Sequence, residues 1–340
     1  MLHRISRVAA LAAIATGGLL AGTASAQVTY EGKTISVYIT SAPDGGLDLY
    51  GRLFARHASK YLPGSPTMVP KNNPGAGGIL LANLMASTLP RDGTAVSALT
   101  NGLYLSPLLG TANVRYDAAK FNWVGRLADL PLLLVSRPDS KVKTAADMLT
   151  NDFSVATTGP GSYGHLVLSA FKTVLGAKMQ IIAGYRSGGE NRLAMERGEV
   201  DGTASVQWTI DNQRDWVLRN KWNILSQIAL TSAPDITNVP LLADLAKDEE
   251  TRQTLILFIA PAEIGRSLAL PPDVPADIVK LYRDSFVKMT QDPELIAEAK
   301  KLTLELNVVP GEKIQTLHQE MSKVSPAVLA RAKAANVPAE

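Results

Sequence analysis

The sequence predicts an α/β fold with two lobes, and three observations support this prediction. Short segments rich in β-branched residues alternate with amphipathic helical segments, which is typical of α/β proteins with largely parallel sheets. This alternation occurs in two separate clusters, and a mostly helical region follows them. The chain of 340 residues is 46% hydrophobic with a net charge of only +3, so it can bury a sizeable core and is not intrinsically disordered.

The first cluster of alternating elements begins shortly after the N-terminal region. Residues 34–40 have the sequence TISVYIT, and this run of β-branched residues predicts a buried strand. Residues 48–62 carry apolar side chains at the spacing of an amphipathic helix. We expect the cluster to continue with a short strand, a helix and a strand at residues 68–70, 79–88 and 95–99.

The second cluster contains five expected strands and three expected helices. The strands are expected at residues 132–135, 153–157, 180–183, 200–206 and 223–230, and the helices at residues 165–175, 189–197 and 208–219. Helices at residues 275–290, 292–302 and 312–335 are expected in the C-terminal third. Because no low-complexity linker separates the clusters, we expect one compact body, with lobe 1 at residues 28–130 plus 256–340 and lobe 2 at residues 131–255.

Residues 1–26 have the features of a secretory signal peptide. Arg4 and Arg7 precede an uncharged segment, and Ala24-Ser-Ala26 supplies small residues at the spacing that signal peptidase recognises. An uncleaved membrane anchor is the alternative, but the strongly apolar part is short for a bilayer span of about 20 residues. We therefore expect cleavage after Ala26 and a nearly neutral mature protein in the periplasm.

Several functions are excluded or disfavoured by residue types and motifs that the sequence lacks. It has no cysteine, which excludes disulfide scaffolds, zinc–thiolate sites, iron–sulfur clusters and thiol nucleophiles. The histidines after residue 26, which are His57, His165 and His318, lie far apart without a metal-binding motif, so we expect no metal. The small net charge and the lack of a nucleotide-binding motif predict neither a nucleic-acid partner nor a cofactor.

Two glycine-rich turns, at residues 41–48 and 158–164, are the most informative features of the sequence. Each turn follows an expected strand and precedes an expected helix. The first N–H groups of a helix lack partners within the helix, and glycines let a ligand approach them closely, so such a turn favours an anion. Because ligands of open α/β sheets lie beyond the carboxyl ends of strands, the two turns predict a cleft between two lobes.

A series of short segments distributed over nearly the whole mature chain supports a family resemblance. They are Pro43-Asp-Gly-Gly-Leu-Asp48 followed by Arg52, Asn73-Pro-Gly-Ala-Gly-Gly78, Pro90-Arg-Asp-Gly-Thr94, Thr158-Gly-Pro-Gly-Ser162, His165-Leu166, Gly184-Tyr185, Glu196-Arg-Gly-Glu-Val-Asp201, Pro271-Pro-Asp-Val-Pro275 and Asp292-Pro293. With these segments in this order, the sequence resembles the substrate-binding receptors of tripartite tricarboxylate transporters, the Bug family of periplasmic proteins.

The resemblance implies a type II periplasmic binding fold, in which two α/β lobes close over a ligand in the cleft between them. It also implies a non-enzymatic, monomeric receptor that captures a small organic acid and delivers it to the membrane subunits of a tripartite transporter. Main-chain amides and hydroxyl groups from one loop of each lobe would hold a carboxylate. Which carboxylate the protein binds remains open: the ligand is a dicarboxylic, tricarboxylic, aromatic or amino acid.

Carried over to this sequence, the family pattern implies twelve ligand-binding residues. They are Ser41, Pro43, Gly45, Gly46 and Asp48 in the first loop, Thr158, Gly159, Gly161, Ser162 and Tyr163 in the second loop, and Asn101 and Ser205 on the cleft floor. We also expect Asp48 to be the N-cap of the first helix. Two positions depart from the pattern: Asp44 interrupts the usual Pro-Gly-Gly, and Ser205 replaces an acidic or amide residue.

Other interpretations of the sequence predict a different chemistry. Ser162, His165 and Asp201 are the residue types of a hydrolase triad, but Pro160 breaks the Gly-x-Ser-x-Gly pattern and Ser162 fits a helix cap better. The three tryptophans Trp208, Trp216 and Trp222 would stack on an aromatic ligand or pack a helix, and Arg186 and Arg192 are candidate charges near lobe 2. A sensor subunit for a membrane kinase and a periplasmic enzyme acting on a carboxylic acid are the alternative functions.

Overall fold

The computed structural model describes residues 28–43, 45–159, 162–207, 211–321 and 323–336. The expected signal peptide at residues 1–26 lies outside the described residues, as do Asp44, Gly161 and Trp208. Within the described part of the chain, no helix combines the length and the apolar character needed to cross a membrane.

Eleven strands in the described residues form two separate sheets, and most of them are short and buried. In chain order they are β1 (Thr34–Ile39), β2 (Thr67–Asn72), β3 (Ala95–Leu99), β4 (Asn122–Arg126), β5 (Leu132–Ser136), β6 (Phe153–Thr157), β7 (Met179–Ala183), β8 (Gly202–Val206), β9 (Asn223–Ile228), β10 (Ser267–Leu270) and β11 (Val309–Pro310). The first sheet has the strand order β11-β4-β10-β3-β1-β2, and the second sheet has the order β7-β6-β8-β5-β9.

Both sheets are mixed, so the expectation of largely parallel sheets is wrong. In the first sheet, β1 is parallel to β2 and β3, whereas β10 is antiparallel to both β3 and β4. In the second sheet, β6 is parallel to β7 and β8, whereas β5 is antiparallel to both β8 and β9. Strands β5 and β10 are each the first strand after the chain crosses from one sheet to the other. Each of them runs antiparallel to both of its neighbours in the new sheet.

Eleven α-helices in the described residues cover the sheets. They are α1 (Gly46–Ala58), α2 (Ile79–Ser87), α3 (Leu105–Leu108), α4 (Tyr163–Leu175), α5 (Gly188–Glu196), α6 (Asp211–Arg219), α7 (Glu249–Ile259), α8 (Ala276–Thr290), α9 (Pro293–Lys301), α10 (Gly311–Met321) and α11 (Pro326–Ala335). One helix was expected at residues 312–335, where the chain forms α10 and α11. Ser325 caps α11 by accepting a hydrogen bond from the Val328 N–H, and Pro326 occupies the first turn, where no N–H is needed.

The hydrophobic core is divided between the two sheets and the helices that cover them. Leu53 and Phe54 of α1 are fully buried against the first sheet, and Phe171 of α4 is fully buried against the second. Helix α7 packs against α4 and α11. The expected lobe boundary between residues 255 and 256 therefore lies inside a packed helix.

Candidate ligand-binding cleft

A cleft with a volume of about 410 Å³ lies where strands of both sheets end. Its walls come largely from residues at or after the carboxyl ends of β1, β3, β6, β7 and β8. The lining residues are Gly45, Gly46, Thr100, Asn101, Leu130, Leu132, Ala156, Thr157, Thr158, Ser162, Tyr163, Gly164, Ser187, Gly188, Gly189, Asn191, Arg192, Ala204, Ser205, Gln207, Gln213 and Arg266. The cleft therefore has the position at which open α/β sheets bind ligands.

Three helix N-termini line this cleft. Helix α1 begins after Gly45, α4 begins after Ser162 and α5 begins after Ser187, and all three of these residues lie in the cleft wall. The Gly45 N-cap has no side chain to satisfy the first N–H groups of α1. Because the unpaired N–H groups at a helix start attract negative charge, the three starts together favour an anionic ligand.

The structure places the twelve expected ligand-binding residues in three groups. Seven of them line the cleft, and these are Gly45, Gly46, Asn101, Thr158, Ser162, Tyr163 and Ser205. Ser41, Pro43, Asp48 and Gly159 are not among the lining residues. Gly161 lies outside the described residues, and so does Asp44.

The expectation that Asp48 is the N-cap of α1 is wrong. The helix begins at Gly46 with Gly45 as its cap, which places Asp48 in the first turn, fully buried. Its Oδ2 accepts a hydrogen bond from Nε of Arg52 at 2.8 Å, and its Oδ1 accepts one from Nδ2 of Asn72 at 2.7 Å. Asn72 also donates to the Ser41 carbonyl. Asp48 therefore connects α1 to β2 and, through Asn72, to the first loop.

The hydrolase triad considered from the sequence does not assemble. The Ser162 hydroxyl donates to the Gly159 carbonyl at 2.8 Å and accepts from the His165 N–H, as a helix cap does. The His165 ring contacts the Thr157 hydroxyl through Nδ1, and burial lowers the pKa of His165. Asp201 instead accepts hydrogen bonds from the main chain and the hydroxyl of Ser154. Ser162, His165 and Asp201 thus make separate contacts and do not form a triad.

One arginine that the sequence analysis missed reaches the cleft from the start of β10. The guanidinium of Arg266 lies 5.9 Å from the ring centre of Tyr50, and its Nη2 lies 3.4 Å from Oε1 of Gln207, which follows β8 of the other sheet. Its Nε is buried and has no hydrogen-bond partner among the described residues. Burial lowers the pKa of Arg266, yet an arginine remains charged at neutral pH.

A second arginine, Arg192 on α5, lines the opposite wall. Its Nη1 donates to the Ser205 carbonyl at 3.0 Å and contacts Oε1 of Gln213 at 3.4 Å. The guanidinium also lies over the ring of Trp216 at 6.0 Å, so this tryptophan packs beside the cleft arginine. The exposed Arg186, by contrast, is paired with Glu190 and is not a lining residue.

Three buried polar atoms without hydrogen-bond partners among the described residues belong to residues that line the cleft. Nδ2 of Asn101 and Oδ1 of Asn191 are two of them, and both residues are at most 2% exposed. Nδ2 of Asn191 donates to the Ser205 hydroxyl at 2.6 Å. A buried polar atom left unpaired costs about 1–3 kcal/mol, so a polar ligand that pairs with these atoms would recover that free energy.

Some of the cleft residues that were not expected lie in a third breaker-rich turn of the sequence. Ser187-Gly-Gly189 follows β7 and starts α5, just as the two recognised turns follow β1 and β6. Applying the same rule to this turn would have found Ser187, Gly188 and Gly189. No comparable signal marks Arg266, because it enters the cleft from a strand far along the chain.

Outside the cleft, one group of acidic and histidine side chains lies close enough to hold a metal ion within the described residues. It comprises His57, Asp292 and Glu294. The ammonium of Lys60 already donates hydrogen bonds to both carboxylates, at 2.8 Å in the case of Asp292. The lysine therefore supplies the positive charge that a metal would otherwise bring.

Comparison with known proteins identifies the family of the chain. The family model described as the tripartite tricarboxylate transporter family receptor matches residues 51–331. This chain belongs to that receptor family. The match covers the cleft loops that follow β3, β6 and β8, and it confirms the resemblance drawn from the short sequence segments.

Relatives and solved structures agree with this assignment. The UPF0065 protein in the gbd 5' region of Cupriavidus necator is 27% identical over 338 residues, which are 96% of this chain and 96% of that protein. MatC from Rhodopseudomonas palustris with bound malate is 18% identical with a TM-score of 0.63, covering 89% of this chain and 99% of MatC. An R. palustris protein with adipate is 17% identical with a TM-score of 0.64, covering 88% of this chain and 97% of that protein. These likenesses show the two-lobed α/β fold of periplasmic binding proteins.

Proposed function

We propose that this receptor captures a small organic acid in the periplasm and delivers it to the membrane subunits of a tripartite tricarboxylate-type transporter. The observation that carries the proposal is the convergence of three helix N-termini and two arginines on one cleft. Membership of the receptor family supports it, and so do the malate and the adipate bound to the two R. palustris proteins.

Capture follows from the positions of the donors. The N-terminal ends of α1, α4 and α5 carry partial positive charge and face the cleft, so they would hold one carboxylate of the ligand, and their fixed orientation avoids a large entropic cost on binding. Gly46 belongs to the wall built by the first sheet, and Ser162 and Ser187 belong to the wall built by the second. A ligand that contacts both walls stabilises only the closed arrangement of the two lobes, which explains closure without any chemical step.

The proposal includes a processing step and a division of the chain. Residues 1–26 direct export and are removed, so that the mature, monomeric receptor works in the periplasm. Lobe 1 takes residues 28–130 and 256–340, lobe 2 takes residues 131–255, and the chain crosses between the two sheets after β4 and after β9. Mass spectrometry of the exported protein tests the cleavage, since the mature chain would begin at Gln27.

The function is tested by calorimetric titration of the exported protein with malate, adipate, citrate and benzoate. Binding of at least one acid, with no chemical change in the recovered acid, is the expected result. Uptake of that labelled acid by cells, lost on deletion of the receptor gene and restored by its return, would identify the transporter role. A folded protein that binds none of these acids, or one that converts them, would contradict the proposal.

A further inference from the structure

Two guanidinium groups face the candidate cleft from opposite walls. Arg266 comes from the beginning of β10 in the first sheet, and Arg192 comes from α5 beside the second sheet. Neither arginine forms an ion pair with any carboxylate of the described residues, which distinguishes them from the exposed Arg186 and its partner Glu190. Two partly buried cations in one cleft repel each other unless anions lie between them.

The helix context of Arg192 explains why it has no acidic partner there. Glu196 lies one turn further along α5, which is the spacing of a stabilising ion pair. Its carboxylate instead accepts the indole N–H of Trp216, whose ring lies beneath the Arg192 guanidinium. The aromatic ring and the Ser205 carbonyl thereby hold the guanidinium in place. Its positive charge is not neutralised by a carboxylate of the described residues and can bind an anionic ligand.

A chain of glutamines links the two arginines across the cleft. Oε1 of Gln213 contacts Nη1 of Arg192 at 3.4 Å and accepts from the Gln207 N–H at 2.8 Å. Oε1 of Gln207 in turn lies 3.4 Å from Nη2 of Arg266. Amide oxygens at such lengths are weak partners for a guanidinium, and a carboxylate would bind each arginine through shorter, charge-assisted hydrogen bonds.

We propose that Arg266 and Arg192 each bind one carboxylate of the ligand, so that the cleft selects small dianions over monoanions of the same shape. This inference rests on the proposed function and adds the charge that the ligand must carry. The helix N-termini orient a carboxylate. The two arginines select for charge, because a monoanion would leave one of them without an anionic partner. The unpaired Nε of Arg266 provides the extra donor that a bidentate carboxylate requires.

The test uses diacids and their monoamides, because an amide has nearly the shape of a carboxylate without its charge. Calorimetric titrations of the wild-type protein with succinate, malate and adipate, and with their monoamides, are expected to show tighter binding of at least one diacid by about 10- to 100-fold. Arg266→Gln and Arg192→Gln should each weaken binding of that diacid to the level of its monoamide, while barely changing the affinity for the monoamide itself. Arg266→Lys should keep part of the preference, because it keeps the charge.

Arg186→Gln is the matched control, since it removes an arginine near the same helix that does not line the cleft. It should leave both affinities unchanged. Melting curves of the ligand-free variants confirm that each is folded. Equal wild-type affinity for diacid and monoamide, or a preference that survives Arg266→Gln and Arg192→Gln, would overturn the charge requirement alone. If the folded wild-type protein binds no carboxylate at all, the proposed function fails together with this inference.

Discussion

Arg266 lies directly against Gly46, although 220 residues of sequence separate them. A Cβ atom built on Gly46 would come within 3.1 Å of Nη2 of Arg266, which is tighter than ordinary van der Waals contact. Gly46 is the first residue of α1, so the guanidinium sits over the N-terminal end of a helix dipole of the same sign. Both positive groups are thus aimed at one place, where an anion would stabilise them together.

Replacing Gly46 by alanine should therefore weaken ligand binding without weakening the fold. The methyl group pushes the guanidinium from its position, at a cost of about 1 kcal/mol or about fivefold in affinity, whereas alanine favours the helix. Gly189→Ala is the comparison, because it also adds a methyl group to the cleft wall but its Cβ meets no atom closer than 3.5 Å and displaces no side chain, so it should weaken binding less. Calorimetry on both variants checks this, and an unchanged affinity of Gly46→Ala would contradict it.

Asp48→Ala should lower the free energy of unfolding by about 2–3 kcal/mol. The change removes the buried carboxylate that pairs with Arg52 and Asn72, so two donors lose their acceptor at once. Urea unfolding measures the loss. Asp139→Ala, which breaks an exposed ion pair with Arg137, is the comparison and should leave stability nearly unchanged. A similar small effect of both variants would argue against the tie between α1 and β2.

Ser162→Ala should reduce both stability and ligand affinity. It removes the N-cap of α4, which costs about 1 kcal/mol, and it loosens a helix start in the cleft wall. Ser325→Ala removes the equivalent cap of α11, away from the cleft. It should cost about the same stability and leave binding intact, and parallel melting and titration experiments separate the two effects. Equal binding by the two variants would contradict a role for the α4 N-terminus.

Acidification should destabilise the protein partly through His318. Its ring stacks on Trp123 at 4.2 Å and meets Tyr104 edge-on, and burial lowers the pKa of His318 to about 3. The unfolded chain takes up a proton near the ordinary histidine pKa of about 6.5 and the folded chain does not, so stability falls as the pH drops below that value. The loss is about 2 kcal/mol between pH 6.5 and pH 5.

His318→Phe keeps a ring at this position and removes the titrating group. Chemical unfolding at a series of pH values should therefore show a shallower acid dependence for the variant, with the two proteins most alike in slope above pH 7. Identical slopes between pH 5 and pH 6.5 would show that His318 takes up its proton in the folded state.

Local sequence patterns predicted most of the helices and strands. They also predicted the glycine-rich turns at residues 41–48 and 158–164, which contribute residues to the cleft walls. Strands β3 and β6 have the expected bounds, because a run of buried β-branched and apolar residues between breakers is a local signal. The strands at β4 and β10 and the helix α7 were not expected. Asn122–Arg126 contains tryptophan, glycine and a buried arginine, and its strand conformation depends on pairing with β10 and β11.

The directions of strands were the main error, and they also explain the missed arginine. A chain that crosses between two sheets can enter the new sheet in either direction. The residues of β5 and β10 do not indicate whether the strand runs parallel or antiparallel to its neighbours. Once β10 runs antiparallel between β3 and β4, its first residues lie beside the carboxyl end of β3. Arg266, which directly precedes the strand, is thereby brought to the ligand end of the first sheet.

The sequence by itself determined the α/β class, the glycine-rich helix starts and the receptor family, because each depends on short-range periodicity or on contiguous motifs. Only the tertiary structure decided which charges meet in the cleft and that Asp48 is buried rather than a cap. The physical reason is that strand order and direction arise from the packing of distant segments. Arg266 therefore lies in the cleft because of the strands with which β10 pairs, and the residues adjacent to Arg266 in the sequence do not indicate that pairing.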